Sequence, residues 1–560
     1  MSSESSAELD GSAGGAARWG VFGNLAFTVI LAASSISNVG VAMFDTSTSW
    51  LMTSLNPDPL MVSAVQVATT LPLFLLTLPA GALSDIVDPR RLLIGAQAAA
   101  AAISVAFAAI VSLHFATPKA LLGTTFLLGV SGGLAAPAWL LITPMLVPKR
   151  ELDSAIAINN ASFNVSRAIG PALAGFAIAA LGIAFPYWCY VAGNLALLAA
   201  VVWWRGPRRV RETLPAERLS SALRTGLRYA RNNRDIDATL IRAVAFFLFG
   251  SAYWALLPLI ARKQMHHGPE LYGLLLGMVG VGSIAGSLAL NGLKARLGPD
   301  RLAALATLGT VAALAMYGAA REPTLAVVAS LIAGASWIVM MTTLFVSAQL
   351  ALPDWVRGRG LAIFLTTYFG AMTLGSALWG KVASLEGLST ALYVAAGGAA
   401  LGMIATWRWK LQTAATLDLT PSMHWRAPVF AQPIDDDQGP ILVTIEYQIA
   451  PEDKKPFLSA MHEIGLERKR DGAYAWNVFE DAAETDRVVE TFLIQSFLEL
   501  RHLRARVTKA DRMVEEQRNK FLKEAPKATF LVAPKRNRGP RRKFTAQRAA
   551  RPAAQPAQAG

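Results

Sequence analysis

The stretch LPAGALSDIVDPRRLL, residues 78 to 93, joins two apolar runs through a short charged turn. The run before it begins near residue 60, and the run after it continues to about residue 113. Each is long enough to cross a hydrocarbon core of roughly 30 Å. Arg90 and Arg91 stand at the boundary between them. The same alternation extends along the chain and predicts twelve spans. They lie near 22–50, 60–84, 91–113, 119–146, 152–181, 184–204, 237–261, 270–292, 301–319, 323–349, 359–383 and 387–407. Of the 560 residues 53% are hydrophobic and only 16% charged, where a soluble globular chain carries about 25% charge. The mean hydropathy is +0.39. Over most of its length the chain reads as an all-α polytopic membrane protein.

Basic residues are placed unevenly between the spans. One set of connections holds Arg90, Arg91, Lys149, Arg150, the basic stretch 205–234, Lys294, Arg296, Arg301, Arg357 and Arg359. The opposite set offers only Lys119, Arg262, Lys263, Arg321 and Lys381. The positive-inside rule then puts both termini and the central loop in the cytoplasm, which suits a multi-pass protein of a cell inner membrane. The polar opening, residues 1–20, lacks a basic start before a short apolar core and does not read as a cleaved signal peptide. The net charge of +14 is concentrated in loops and in the tail 535–560, which is expected to be disordered. That placement argues against a nucleic-acid surface. The lone Cys189 excludes a disulfide framework.

Shifting first-half numbers by 205 pairs Gly81 with Gly286, Pro148 with Pro353, Ala157 with Ala362 and Gly170 with Gly375. The same shift pairs Gly175 with Gly380, Gly182 with Gly387 and Gly193 with Gly398. A shared glycine spacing implies shared helix packing. The expected architecture is two pseudo-symmetric six-helix bundles, 21–205 and 236–410, around a central cavity. A cytoplasmic loop with an amphipathic helix, 206–235, joins them. A polar linker, 411–440, leads to a unit at 441–534 whose pattern changes to strands. Val443, Ile445 and Tyr447 alternate on one face, and Phe457, Met461 and Ile464 follow at helical spacing. The strands 473–481 and 487–497, a long helix with Leu500, Leu503 and Val507 on one stripe, and a last strand complete a β-α-β-β-α-β order. That order is the α+β ferredoxin-like unit.

The loop at 78–93 resembles the signature of the major facilitator superfamily, roughly G-x-L-x-D-x-x-G-R-[KR]. Gly81, Leu83, Asp85, Arg90 and Arg91 match, while Asp88 and Pro89 replace the second glycine and first arginine. The resemblance implies a cytoplasmic gate in which Asp85, Arg90 and Arg91 form a breakable charge latch against the opposite bundle. The alternative is that the two arginines only set topology. A second likeness lies in the fifth span. Gly170, Pro171 and Gly175 match the glycine-proline pattern of antiporter-type members, G-x-x-x-G-P-x-x-G-G, with Ser166 and Ala174 in place of two glycines. The pattern is associated with exporters. The stretches SNVGVAM, ATTLPLFLLTLPAGALSD, PAWLLITPMLVPKREL and FNVSRAIGPALAG resemble the branch called transmembrane secretion effectors, which includes enterobactin exporters.

Arg167 lies inside an apolar span, about 22 Å from Leu152 at 1.5 Å per residue. A charge at that depth costs at least about 3 kcal/mol unless water or an acid is near. Asn160, Asn164, Arg167 and Pro171 share one helix face, and Ser34, Asn38, Val41 and Asp45 share another on the first span. Both faces are expected to line the cavity, with Asp45 as the protonatable group. Arg167 would be its partner or an anchor for an anionic substrate, since arginine stays charged. The competing readings are an interfacial Asp45 and an Arg167 that caps helix carbonyls. Tyr253, Trp254 and Tyr368, with Trp139 and Trp337, could offer aromatic surface to a bulky substrate.

The soluble stretches VTIEYQI, RKRDGAYAWNVFED and VVETFLIQSFLELRHLRARVTKADR resemble a C-terminal extension with a dimeric α/β-barrel, monooxygenase-like outline. Sheets of that type pair face to face, which implies a homodimer. Only His462 and His502 lie in the unit, without metal-ligand spacing, so no metal, cofactor or catalytic residue is expected. The expected function is proton-coupled export of a siderophore- or drug-like molecule by alternating access. The competing reading is a fused sensor or enzyme whose soluble part binds or converts a ligand handled by the membrane part.

Overall fold

The computed structural model describes residues 20–205, 228–229, 231–353, 355–412, 418–420, 422, 434–436 and 438–534, without the side chains of 81–86, 234, 291, 504 and 505. The expected disordered start, amphipathic loop helix and basic tail lie outside the described residues, apart from a few positions at their edges. The chain forms two compact units, one holding the spans and the other a small sheet.

Twelve helices are long and apolar enough to cross a membrane. They are α1 (Leu25–Leu55), α2 (Pro59–Ile86), α3 (Pro89–Ser112), α4 (Pro118–Leu146), α5 (Leu152–Leu181) and α6 (Phe185–Trp203). The second six are α7 (Arg234–Leu259), α8 (Pro269–Leu290), α9 (Gly292–Ala319), α10 (Pro323–Leu350), α11 (Arg357–Glu386) and α12 (Leu388–Ala405). The backbone from α8 into α9 is helical apart from a break at Gly298, where φ is 71°.

The helix starts are coded locally. Asn24 Oδ1 accepts from the N–H of Ala26 and Phe27, and Thr117 Oγ1 accepts from Ala120 N–H ahead of Pro118. Asp88 does the same for Arg91 N–H, with Pro89 in the first helical position. The departure from the superfamily loop pattern at Asp88–Pro89 is thus a helix cap. Gly182 and Gly387, the pair related by the 205 shift, end α5 and α11 with φ of 89° and 88°. An L side chain rarely adopts that conformation.

The helix pairings of the first six spans recur in the second six. Where α1 packs on α5 and α6, α7 packs on α11 and α12; where α3 packs on α4 and α6, α9 meets α10 at Gly309 and Ser336 and α12 at Gly318 and Tyr393.

The second unit has strands β1 (Ile441–Gln448), β2 (Ala475–Glu480), β3 (Arg487–Ile494) and β4 (Lys527–Val532). They pair antiparallel in the order β2-β3-β1-β4. Helix α13 (Lys454–Asp471) follows β1. The expected single long helix is two, α14 (Phe497–Arg506) and α15 (Lys509–Asn519), because Val507 turns extended at ψ 125°. Ile441, Val443, Tyr447, Val488, Phe492 and Phe457 fill a core separate from that of the spans.

Candidate functional site

Arg167 lies near the middle of α5, and its guanidinium is 5.8 Å from the Phe163 ring and 6.0 Å from the Trp254 ring. Trp254 belongs to α7, so the arginine stands where the first six helices meet the second six. Asp45 of α1 and Tyr253 and Tyr368 of the second six lie within Coulombic range of it. Among the described residues Arg167 donates no hydrogen bond and forms no ion pair, and Asp45 acts on it only through space. Asn160, Asn164 and Arg167 form an exposed stripe, and Val41 and Asp45 are exposed on α1 with Asn38 half-buried.

Both predicted faces are shorter than expected. Pro171 and Ser34 are buried: Pro171 packs against α8 and Ser34 donates to Leu31 O. Behind Trp254 stands an aromatic wall, with Trp337 at 5.4 Å and Tyr368 6.3 Å from Trp337. Tyr253 is wholly buried and presents no free surface, contrary to expectation. Trp139 sits apart, packed among α1 and α4 residues.

The two sets of helices close against one another at the end away from the termini. A Cβ at Gly273 of α8 would run into the backbone of Pro171 and Gly175, and one at Gly280 into Ala168. These contacts are where Pro171 and Gly175 act; Gly170 instead lets α1 approach at Ala42. Gly380 of α11 packs on Ser63, and the Thr70 and Thr373 hydroxyls share a hydrogen bond of 2.7 Å.

At the rim Arg262, just beyond α7, donates to Thr53 Oγ1 at 2.8 Å and to Ser54 Oγ. Its guanidinium lies 5.5 Å over Trp50, which stacks on Tyr272 at 6.1 Å. The sequence marked Arg262 only as a loop charge, and nothing local named its partners some 200 residues away. Arg242 and Asp300, paired at 3.0 Å, were missed as well. Their signal was an arginine inside the apolar run 237–261 and an acid in the second-half echo of the gate loop.

In the gate motif, Arg90 donates to the carbonyls of Val201 and Val202 at the end of α6. It serves its own bundle here, not the opposite one as expected. Arg91 is exposed, and the Asp85 side chain lies outside what the structure describes, as do the surroundings of Gly81.

The sheet-bearing unit buries an ionic network. Glu490 accepts from Tyr447 Oη at 2.6 Å and Trp476 Nε1 at 2.9 Å, and Arg468 bridges Glu490 and Glu515. Arg518 donates to Tyr447 Oη at 2.7 Å. Burial, then the charge of Asp511, pushes the Glu467 carboxyl up to about 9. Among the described residues no group of histidine, cysteine and acid could hold a metal.

The family model for transmembrane secretion effectors matches residues 16–537. The chain belongs to that family of major facilitator transporters. The multidrug efflux pump Tap of Mycolicibacterium fortuitum is 24% identical over 404 residues, 69% of this chain and 96% of the pump. The enterobactin exporter EntS of Shigella boydii is 25% identical over 283 residues, 49% of this chain and 66% of the exporter. A point mutant of the nucleoside transporter NupG superposes with a TM-score of 0.58 at 12% identity over 69% of this chain and 99% of its own. A bacterial homologue of ferroportin in an inward-facing state superposes with a TM-score of 0.52 at 17% identity over 69% of this chain and 98% of its own. This effector is a multi-pass membrane transporter related to efflux pumps and exporters, which are not enzymes.

Proposed function

We propose that the transporter exports a small amphiphilic molecule, siderophore- or drug-like, across an inner membrane in exchange for protons. In this reading two pseudo-symmetric bundles rock about the Arg167 region, with both termini in the cytoplasm. The observation that carries it is the meeting of Arg167 and Trp254 between the bundles, with Asp45 in range and the contacts of Gly273, Gly380 and Arg262 gathered at the far end. A charge at mid-depth is costly unless it serves a polar pathway. A far end tied by several separable contacts is what one state of an alternating-access cycle requires. In proteoliposomes Asp45→Asn abolishes efflux driven by a pH gradient; export at the unmodified rate would remove Asp45 from the mechanism.

The soluble unit is of the ferredoxin-like type, a reading supported by its strand order. Its outer sheet face aligns Leu442 with Leu493 and Leu531, and Phe479 with Val489. Leu531 and Phe479 are exposed. In this reading the two faces pair in a homodimer, checked by the mass of the purified full chain with and without Leu531→Lys.

A further inference from the structure

Arg167 carries five N–H donors in a planar fork, and among the described residues none of them has an acceptor. Its guanidinium carbon lies 5.8 Å from the Phe163 ring and 6.0 Å from the Trp254 ring, so a ligand held by the N–H edge of the fork would stand beside aromatic surface. Arg167 itself is exposed, whereas the Nε1 of Trp254 is buried without a hydrogen-bond partner. Among the described residues the acid within Coulombic range of Arg167 is Asp45, which forms no ion pair with it. A buried neutral donor such as the Trp254 indole N–H costs about 1 to 3 kcal/mol when it has no partner.

We infer that the site takes a planar oxyanion, a carboxylate on an aromatic or flat apolar body, with Arg167 as its anchor and Asp45 as an internal competitor. The inference rests on the transport reading above. A carboxylate fits the guanidinium edge through two parallel hydrogen bonds, which a lysine cannot reproduce. The half-buried Trp254 and Tyr368 supply the wall for the ring, with the buried Trp337 packed against both. A cationic ligand would meet the arginine's charge directly and is rejected. Ionised Asp45 lowers the attraction of Arg167 for an anion, and a neutral residue there raises it.

The test uses purified full-length protein in nanodiscs, titrated calorimetrically with 2-naphthoate, 2-naphthamide and 2-naphthylmethylammonium. Naphthoate is expected to bind at least about tenfold more tightly than the amide, with the cation weakest. Arg167→Ala should erase that preference, and Arg167→Lys should keep only part of it. Asp45→Asn should tighten naphthoate binding several-fold. Equal affinity for acid and amide, no binding of naphthoate, or weaker binding in Asp45→Asn would overturn the assignment. Dye efflux and two-sided labelling of the same preparations separate the two readings. Intact alternating access without anion preference sinks only the ligand class, whereas a protein that transports nothing and labels from one side sinks both. Size-exclusion profiles confirm that each variant is folded before it is titrated.

Discussion

At the scale of single residues, Arg262 fastens the far end with two hydroxyl bonds and a cation–π contact, worth about 0.5 to 2 kcal/mol for the latter alone. Arg262→Ala should therefore open the far end about tenfold more often, read as longer distances between spin labels at positions 56 and 266. An unchanged distance distribution would show that the latch carries no weight. Glu467 gives a pH prediction in the sheet-bearing unit. Its folded value of about 9 lies above the usual 4.5, so the fold favours the protonated form. That stability is fully present below about pH 4.5 and is lost as pH rises toward 9. Glu467→Gln should accordingly stabilise the unit more at pH 8 than at pH 5, by about 1 kcal/mol or more. Hydrogen exchange of the β1 and β3 amides in the full chain measures it, and an equal effect at both pH values would refute the assignment. Sequence alone placed Arg167 at mid-depth, because depth follows from counting along a helix. It could not show that Asp45 stops short of contact.

At the scale of elements, α5 and α8 approach over small residues, and α2 and α11 do so at Gly380 and Ser63. A leucine at Gly273 meets backbone, which cannot swing aside as a side chain can. Gly273→Leu should hold the far end open and cut transport more than about tenfold, because overpacking costs roughly 1 to 3 kcal/mol. Retained activity with a closed far end would mean that α8 shifts freely on α5. Helix starts were legible here because caps are local: Asn24, Asp88 and Thr117 each bind an N–H two or three residues on. The break between α14 and α15 was not legible. Leu500, Leu503 and Val507 keep one apolar stripe up to the break, and all three reach the same core. Periodicity reports which residues face inward and not whether the backbone between them stays helical.

At the scale of the molecule, the chain beyond the spans is held first by Leu411, whose N–H meets Asp300 Oδ1 at 3.1 Å, and by Gln412, whose N–H meets Ser347 Oγ at 3.1 Å. Leu411 belongs to the core of the spans, while the core of the sheet begins at Ile441. Truncation after Gln412 should leave the membrane unit folded and transporting, judged by its melting temperature and efflux rate. Loss of folding would mean that the two cores depend on each other. The twelve spans and the doubled helix pattern came from hydropathy and from glycines spaced 205 apart, signals that each segment carries by itself. The end that is closed, the acceptors that Arg90 finds and the ring against which Arg167 rests were settled only by packing. Their partners lie about 90 to 300 residues away, as with Arg90 and Val202 or Thr70 and Thr373. A one-dimensional pattern fixes which face of a helix is polar or small. Which helix meets that face depends on how all twelve pack at once.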